Sequence, residues 1–407
     1  MADQGTVFRE TAPAETGYAA FGAGAAPAGQ IRVAYLGHDA SDAAVQRRVR
    51  ALIDDGLEVT GFMPQRRAPR DIFWSHVGLG ETRDGAFAQR VGAIFSGADQ
   101  TARHPDFTSA DVIIARNLDM LALAFEAKRR ARSAAPVIYE CLDVHRLLTR
   151  SDVIGAAMRA VERALVRRCV RVWVSSPAFI EQHFNARQNL AVSADLMENR
   201  LPASGNHGPR PDVASPRQPG PLRLGWIGNL RCLRSFRLLL GLADRFGDRL
   251  EVHLHGVPAR REIADFEPEI ERRANVTFHG RYQAPKDLAD IYRPLDAVWA
   301  GDFMEAGANS TWLLPNRVYE GGYFAVPALA PAGTQTAQWI EGRGSGLLID
   351  EPLETALPSL VGALCHDLAP LQAARRRLAE LPAETFVEPR GFVRSRVNAA
   401  LAGGARA

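Results

Sequence analysis

A chain of 407 residues, 46% hydrophobic and 23% charged, has globular composition and enough length for two or three domains, each with its own core. The formal net charge is only +3, with basic and acidic residues interspersed, which excludes a whole-chain field aimed at nucleic acid. No run approaches the roughly 18 apolar residues needed to span a bilayer, and four cysteines without a CxxC pair argue against a zinc site or disulfide framework and for a reducing cytoplasm.

Residues 1–30 are rich in Ala, Gly, Pro and Thr, lack apolar periodicity and carry acids where a signal peptide would need an apolar run, so they read as a disordered tail. From Ile31 short apolar runs alternate with longer amphipathic stretches: IRVAYLG, SDAAVQRRVRALIDDG, LEVTGFM, DVIIA, LDMLALAFEAKRRARS, PVIYE, a basic helix near 152–168, VRVWVSS and a helix from Pro177. Continuous rather than alternating apolar strands predict a parallel sheet covered on both faces, a domain over 31–200. The stretch 201–221 holds six prolines and no apolar run, and is expected to be an exposed linker. A second series follows over 222–385: LRLGWIG, SFRLLLGLADRF, LEVHLHG, a helix near 260–272, NVTFHG, LDAVWAG, NRVYEGGYF, VPALAP, AQWIEGR and GLLID. The fold class predicted is α/β, with two Rossmann-like, doubly wound domains facing across a cleft at the C-terminal ends of their strands. Residues 386–407, set off by Pro382 and Pro389, form a last amphipathic helix expected to pack back on the first domain.

The loop from Gly225 to Arg234 follows the first strand of the second domain and leads into a helix. There Gly228 and Asn229 let a phosphate approach the backbone, and Arg231 or Arg234 can neutralise a diphosphate; the same glycines also serve simply to turn a chain. In LPNRVYEGG, Asn316 suits a helix N-cap, Arg317 a second phosphate or sugar contact or a plain surface arginine, and Glu320 a carboxylate that accepts both ribose hydroxyls or complements the helix dipole. In the first domain Glu140, Asp143 and His145 follow a strand at the edge facing the expected cleft, a carboxylate and imidazole set able to orient an acceptor hydroxyl or take its proton. Arg116 and Asn117, ending the preceding strand, and Gly37, after the first, are acceptor-side candidates. The helix carrying Arg159, Arg163, Arg167 and Arg168, followed by Arg171, interleaves them with Met158, Val161, Leu165 and Val166. That pattern fits anionic lipid and equally a solvated helix face.

The segments GWIGNLRCLRS, HLHG, NVTFHGRY, LPNRVYEGGYFAVPALA and GLLID, with ARNLDMLALA, VIYECLDVHRLL and ERALVRRCVRVWVSSPAF, resemble family 4 retaining glycosyltransferases of GT-B fold, and among them bacterial exopolysaccharide transferases of the succinoglycan-biosynthesis, ExoL-like type. The resemblance runs from about residue 31 to the C-terminus. It implies a basic pair on the donor diphosphate, with Asn229 in the place of the first member, Arg234 in that of the second and Arg231 able to supply the missing charge. It implies that Glu320 holds the ribose, and that Trp312 stands where a carboxylate would face the transferred sugar, with Asp302, Glu305 and Asn309 as replacements. Arg281 and Tyr282 would flank the base. The expected activity is transfer of a sugar, with retention, from a nucleoside-diphosphate sugar, a UDP-sugar by preference, to a saccharide or lipid-linked saccharide. The departing phosphate would help deprotonate the acceptor. No DxD-type metal site is apparent and no cofactor is expected, so arginines and helix N-termini would stabilise the leaving diphosphate. The expected location is cytoplasmic, with peripheral contact at an anionic inner membrane. The rival readings are a nucleotide-sugar epimerase on the same architecture and a non-catalytic sugar-nucleotide-binding protein.

Overall fold

The computed structural model describes residues 30–65, 72–81, 96–212 and 219–404. Residues 1–29 of the expected tail lie outside the described residues, as do 213–218 within the proline-rich segment.

Seven parallel strands build the first sheet: β1 Arg32–Leu36, β2 Glu58–Gln65, β3 Ser75–Glu81, β4 Val112–Arg116, β5 Val137–Cys141, β6 Arg171–Val174 and β7 Ala194–Leu196, in the order β3-β2-β1-β4-β5-β6-β7. Every residue of β4 and β5 is buried, because helices cover both faces. Alternate residues therefore feed two cores: Ala34, Ile113, Val137 and Val172 on one side, Val33, Val112, Ile138 and Trp173 on the other. The edge strands β3 and β7 carry no continuous apolar run, and the sequence pattern passes over them.

The second sheet repeats the plan with six parallel strands: β8 Leu222–Leu230, β9 Leu250–Pro258, β10 Val276–Phe278, β11 Ala297–Trp299, β12 Ala328–Pro331 and β13 Gly346–Ile349, ordered β10-β9-β8-β11-β12-β13. Each sheet thus reverses strand order beside its first strand, and the crevice outside the carboxyl ends at such a reversal is where doubly wound folds take ligands. Two helices the sequence reading passes over, Leu353–Leu364 and Ala369–Glu380, complete the cover of the second sheet with Leu357, Val361 and Leu371.

Two stretches tie the halves together. Leu201 pairs with the crossing chain at Val387, its N–H donating to the Phe386 carbonyl and its own carbonyl accepting from Glu388 N–H. Beyond that crossing the helix Phe392–Gly404 puts Val393, Val397 and Ala400 into the first domain's core, beside Val33 and Val45. The expectation of an exposed linker needs correcting over its first half. Leu201 and His207 are buried, Arg210 donates to the carbonyls of Leu378 and Leu381, and Tyr323 donates to that of Gly208. The carbonyls and imidazole of a proline-rich segment find partners on the second domain even without an apolar run.

Candidate donor and acceptor site

On the second domain the expected loop from Gly225 is strand as far as Leu230: Gly228 and Asn229 belong to β8 and pair with Gly256 and Val257 of β9. Gly228 has φ +114° and Gly256 φ +134°, and a Cβ on Gly256 would lie 1.8 Å from the Gly228 carbonyl oxygen. Only glycine fits at Gly256, where the two strands come this close. Beneath Gly228 lies Arg317, on the helix Asn316–Tyr323. Its side chain is buried, Nη1 donates to the Ile227 carbonyl at 2.8 Å, and Nε is buried without an acceptor among the described residues. Burial pulls the guanidinium below its ordinary pKa, with Asp302 and two tyrosines opposing the shift. A buried cation with an unmet donor, lying below Gly228, is poised for an anion.

One turn along the same helix comes Glu320, also buried, accepting from the Tyr292 hydroxyl at 2.8 Å. Burial pushes its carboxyl pKa up, while Arg47, Tyr292 and Arg317 pull it back. Tyr282 lies near enough for the Glu320 charge to add to the upward shift that burial imposes on its phenol, and Arg281 beside it is exposed. Arg47 reaches over from the first domain's helix Ala43–Asp54 to the Asn316 amide oxygen, at 3.2 Å. Neither Arg47 nor Tyr292 stands out in the sequence: Arg47 is one of three arginines in the run QRRVR, and only tertiary contact singles it out.

Several expected roles shift. Arg234 is engaged elsewhere: its guanidinium grips Glu351 at 2.8 Å and Glu354 at 2.9 Å across an exposed surface, and lies 4.6 Å from the Phe303 ring. Arg231 pairs with Asp302 at 3.2 Å, and Asp302 also accepts from Ser310. Burial is the largest influence and would raise the Asp302 carboxyl, but Arg231, the Met304 N–H, Arg317 and Ser310 together hold its pKa down. Asn316 is not the helix cap: Pro315 holds that position, and the Asn316 side chain turns to Arg47 instead. Asn309 is buried and bridges the halves, its amide oxygen accepting from Val144 N–H at 3.3 Å and its amide nitrogen donating to Asp143. Those contacts occupy both ends of its amide and turn it away from a sugar contact.

Across the cleft, Asp143 is open to solvent, yet the surrounding walls strip enough water from its carboxyl to raise its pKa against Arg231, His145 and Arg116. Glu305 is likewise raised, first by desolvation and then by Asp143. His145 is exposed and starts the helix Arg146–Thr149, its Nδ1 accepting from Leu147 N–H at 3.3 Å. Glu140, expected beside them, is fully buried, accepting from the Tyr35 hydroxyl at 2.6 Å and from Arg48 Nε at 2.7 Å. Burial alone would raise its pKa, but Arg48 and Arg116 reverse the sign. At the last-but-one position of β5 it points inward and braces the sheet through Tyr35 and Arg48. Arg116 stands between Glu140, 3.6 Å from its Nη1, and Asp42, at 3.9 Å, and its buried Nε has no hydrogen-bond acceptor among the described residues. Asn117 follows with φ +68° and a buried, unmet Oδ1 at the start of the helix Asn117–Ala131. Gly37 owes its lack of a side chain to Met63, whose sulfur would meet a Cβ at 3.0 Å.

Trp312, in the place of the family carboxylate, is buried in the first domain's core, with Leu313 packed against the same cluster.

Beside the loop that carries Tyr282, His253 and His255 project from one face of β9 and meet His279: the His255 and His279 rings stack at 4.2 Å, and His253 Nδ1 lies 3.1 Å from His279 Nε2. Burial, then the His279 and His253 charges, lower His255 from 6.5 to about 4. A folded-state pKa below the unfolded one adds stability that is complete above pH 6.5 and lost as pH falls toward 4. The thermal midpoint should drop across that window, and His255→Gln should flatten the drop; an unchanged pH profile in that variant would remove the histidine stack as its cause.

Among the described residues no group of three His, Cys, Asp or Glu side chains gathers to hold a metal ion, and no helix is long and apolar enough to cross a membrane.

Two doubly wound domains meeting across a cleft of this kind define the GT-B fold of glycosyltransferases. HepE of Anabaena, solved with UDP and glucose, superposes with a TM-score of 0.66 over 92% of this chain and 100% of that one, at 13% identity. WaaG, a glycosyltransferase involved in lipopolysaccharide biosynthesis, gives 0.61 over 87% and 97%, at 14% identity. No protein-family profile matches the chain. The succinoglycan biosynthesis protein ExoL of Rhizobium meliloti is 38% identical over 346 residues, 82% of this chain and 85% of that protein. The chain belongs to the ExoL family of succinoglycan biosynthesis proteins.

Proposed function

We propose that this protein is a glycosyltransferase of polysaccharide synthesis that moves a sugar, with retention, from a UDP-sugar to a saccharide or lipid-linked saccharide. The observation that carries the reading is the pairing of Arg317 and Glu320 one turn apart beneath Gly228 near the end of β8, a buried cation with an unmet donor beside a buried carboxylate. The cation suits a diphosphate; the carboxylate, steadied by Tyr292, suits the two hydroxyls of a ribose. Tyr282 would lie against the base.

On the acceptor side Asp143 and His145 line the first domain's edge of the cleft, and Arg116 with Asn117 offer unmet polar atoms behind them. The paired carboxyls Asp143 and Glu305, both raised, would orient the acceptor hydroxyl while the departing phosphate takes its proton. The leaving charge is met by arginine and backbone N–H, with no metal or other cofactor called on, and closure of the cleft keeps water from competing with the acceptor. The kinship to ExoL supports the polysaccharide setting, and HepE, a protein of the same fold, is known bound to UDP and glucose.

A thermal-shift series with UDP, other nucleoside diphosphates and their sugars tests the donor half. A ligand bound only by the folded chain at 100 times its Kd stabilises it by about 2.7 kcal/mol. UDP and UDP-sugars should shift the midpoint in the native chain and fail to do so in Glu320→Ala, and UDP should be released only when an acceptor saccharide is added. Donor isomerised without acceptor would instead mean an epimerase, and binding without turnover across acceptors a non-catalytic protein.

A further inference from the structure

The helix Val153–Val166 sets Met158, Leu165 and Val166 on the first domain's core, yet it buries its carboxylate and leaves other apolar residues in water. Its one carboxylate, Glu162, is fully buried, accepting from the Tyr139 hydroxyl at 3.0 Å and lying 2.7 Å from His183 Nε2. Three of its large apolar residues face outward: Val153 is 84% exposed, Ile154 54% and Val161 49%, with Ala157, Ala160 and Ala164 exposed between and beyond them at helical spacing. Burying a glutamate while leaving two valines and an isoleucine in water is the reverse of ordinary packing, and contiguous apolar exposure of this kind marks a contact surface.

The charge along the helix and just beyond it is almost all positive, and the exposed acid at its N-cap, Asp152, is already paired with Arg150. From Val153 to Arg171 the chain has five arginines and one acid, and that acid is the buried Glu162. Arg146, Arg167 and Arg168 are exposed at the two ends of the helix. A second copy of this chain set against the same face would bring arginines against arginines. An anionic bilayer complements both features at once, taking apolar side chains below its headgroups and arginines among them.

The patch is also placed to matter. The helix follows β5, whose carboxyl end leads to Asp143 and His145, so its first turn with Val153 and Ile154 stands at the rim of the cleft and the rest runs back for roughly 20 Å. We propose that the outward face of the helix Val153–Val166 is a docking surface for anionic lipid that seats the first domain's edge of the cleft against a membrane. Docking does not depend on the glycosyl-transfer reading; only its consequence, delivery of a lipid-linked acceptor to the cleft, does.

Flotation of the full chain with vesicles of phosphatidylcholine, alone or mixed with phosphatidylglycerol, tests it. At least about ten-fold more protein should float with the anionic vesicles than with the neutral ones, falling as salt is raised. Ile154→Asp with Val161→Asp should abolish flotation, and Arg146→Glu with Arg167→Glu should remove its dependence on anionic lipid. All four positions are at the surface, and the UDP thermal shift should stay unchanged in each variant, which separates failure of docking from failure of the donor reading. Equal flotation of the native and Asp-substituted chains would overturn the proposal. So would self-association without vesicle binding, abolished by Ile154→Asp, which would give the face to a second copy.

Discussion

Arg317→Ala should weaken UDP binding by about 1.5 to 3 kcal/mol, a loss of roughly ten- to a hundred-fold, while Arg234→Ala should leave it nearly unchanged. The difference follows from what each cation already holds. Arg234 sits in an exposed fork with Glu351 and Glu354, where ion pairs are worth about 0 to 1 kcal/mol and no charge is left over for a ligand. Arg317 is buried beneath Gly228 with a single carbonyl partner and an unmet Nε, so an incoming phosphate would satisfy a donor that water does not reach. Because the Ile227 hydrogen bond is lost too, the variant should also melt earlier, and calorimetric titration below that midpoint separates the two effects. Arg317→Lys keeps a charge but lacks the fork, and should fall between native and Ala. Equal UDP affinity in native and Arg317→Ala chains, or a larger loss from Arg234→Ala, would move the diphosphate away from Arg317.

The parts of the structure legible in the sequence are those set by local pattern. Buried parallel strands such as VIIAR and VIYEC cannot hide their composition, and a glycine after such a strand announces the turn at a sheet's carboxyl end. The same logic picked out Glu320 and Arg317, because the helix they share starts plainly after a proline. What the sequence conceals is direction and partnership. Glu140 and Asp143 are three residues apart, yet one points into the sheet to meet Arg48 and the other into the cleft, and the parity of a strand that ends between them decides it. Arg234 matches a family position, but its carboxylate partners lie 117 and 120 residues further on. The basic helix at 153–166 shows its arginines in the sequence; that its glutamate is buried while Val153 and Val161 are exposed goes with Tyr139 and His183, which lie outside the helix.

Trp312→Ala should destabilise the protein by about 3 to 5 kcal/mol, the usual cost of emptying a large aromatic site, and should do so by loosening one half from the other. Trp312 belongs by chain to the second domain and by packing to the first, where its ring is buried and Arg187 lies 5.7 Å from its centre. Its carbonyl accepts from Ser176, and its neighbour Asn309 binds Asp143 and Val144, so the segment 308–313 is anchored by apolar area and hydrogen bonds together. Without the ring those hydrogen bonds stand alone at the edge of a cavity. Chemical unfolding followed at once by tryptophan fluorescence and circular dichroism should then show two transitions where the native chain shows one. The same geometry sets the outcome for Trp312→Glu, which restores the family's residue type: its carboxylate would enter the first domain's core instead of the cleft, adding a desolvation penalty to the lost packing. That variant should be the less stable of the two and gain no turnover. Higher activity in Trp312→Glu than in the native chain would place position 312 at the transferred sugar after all.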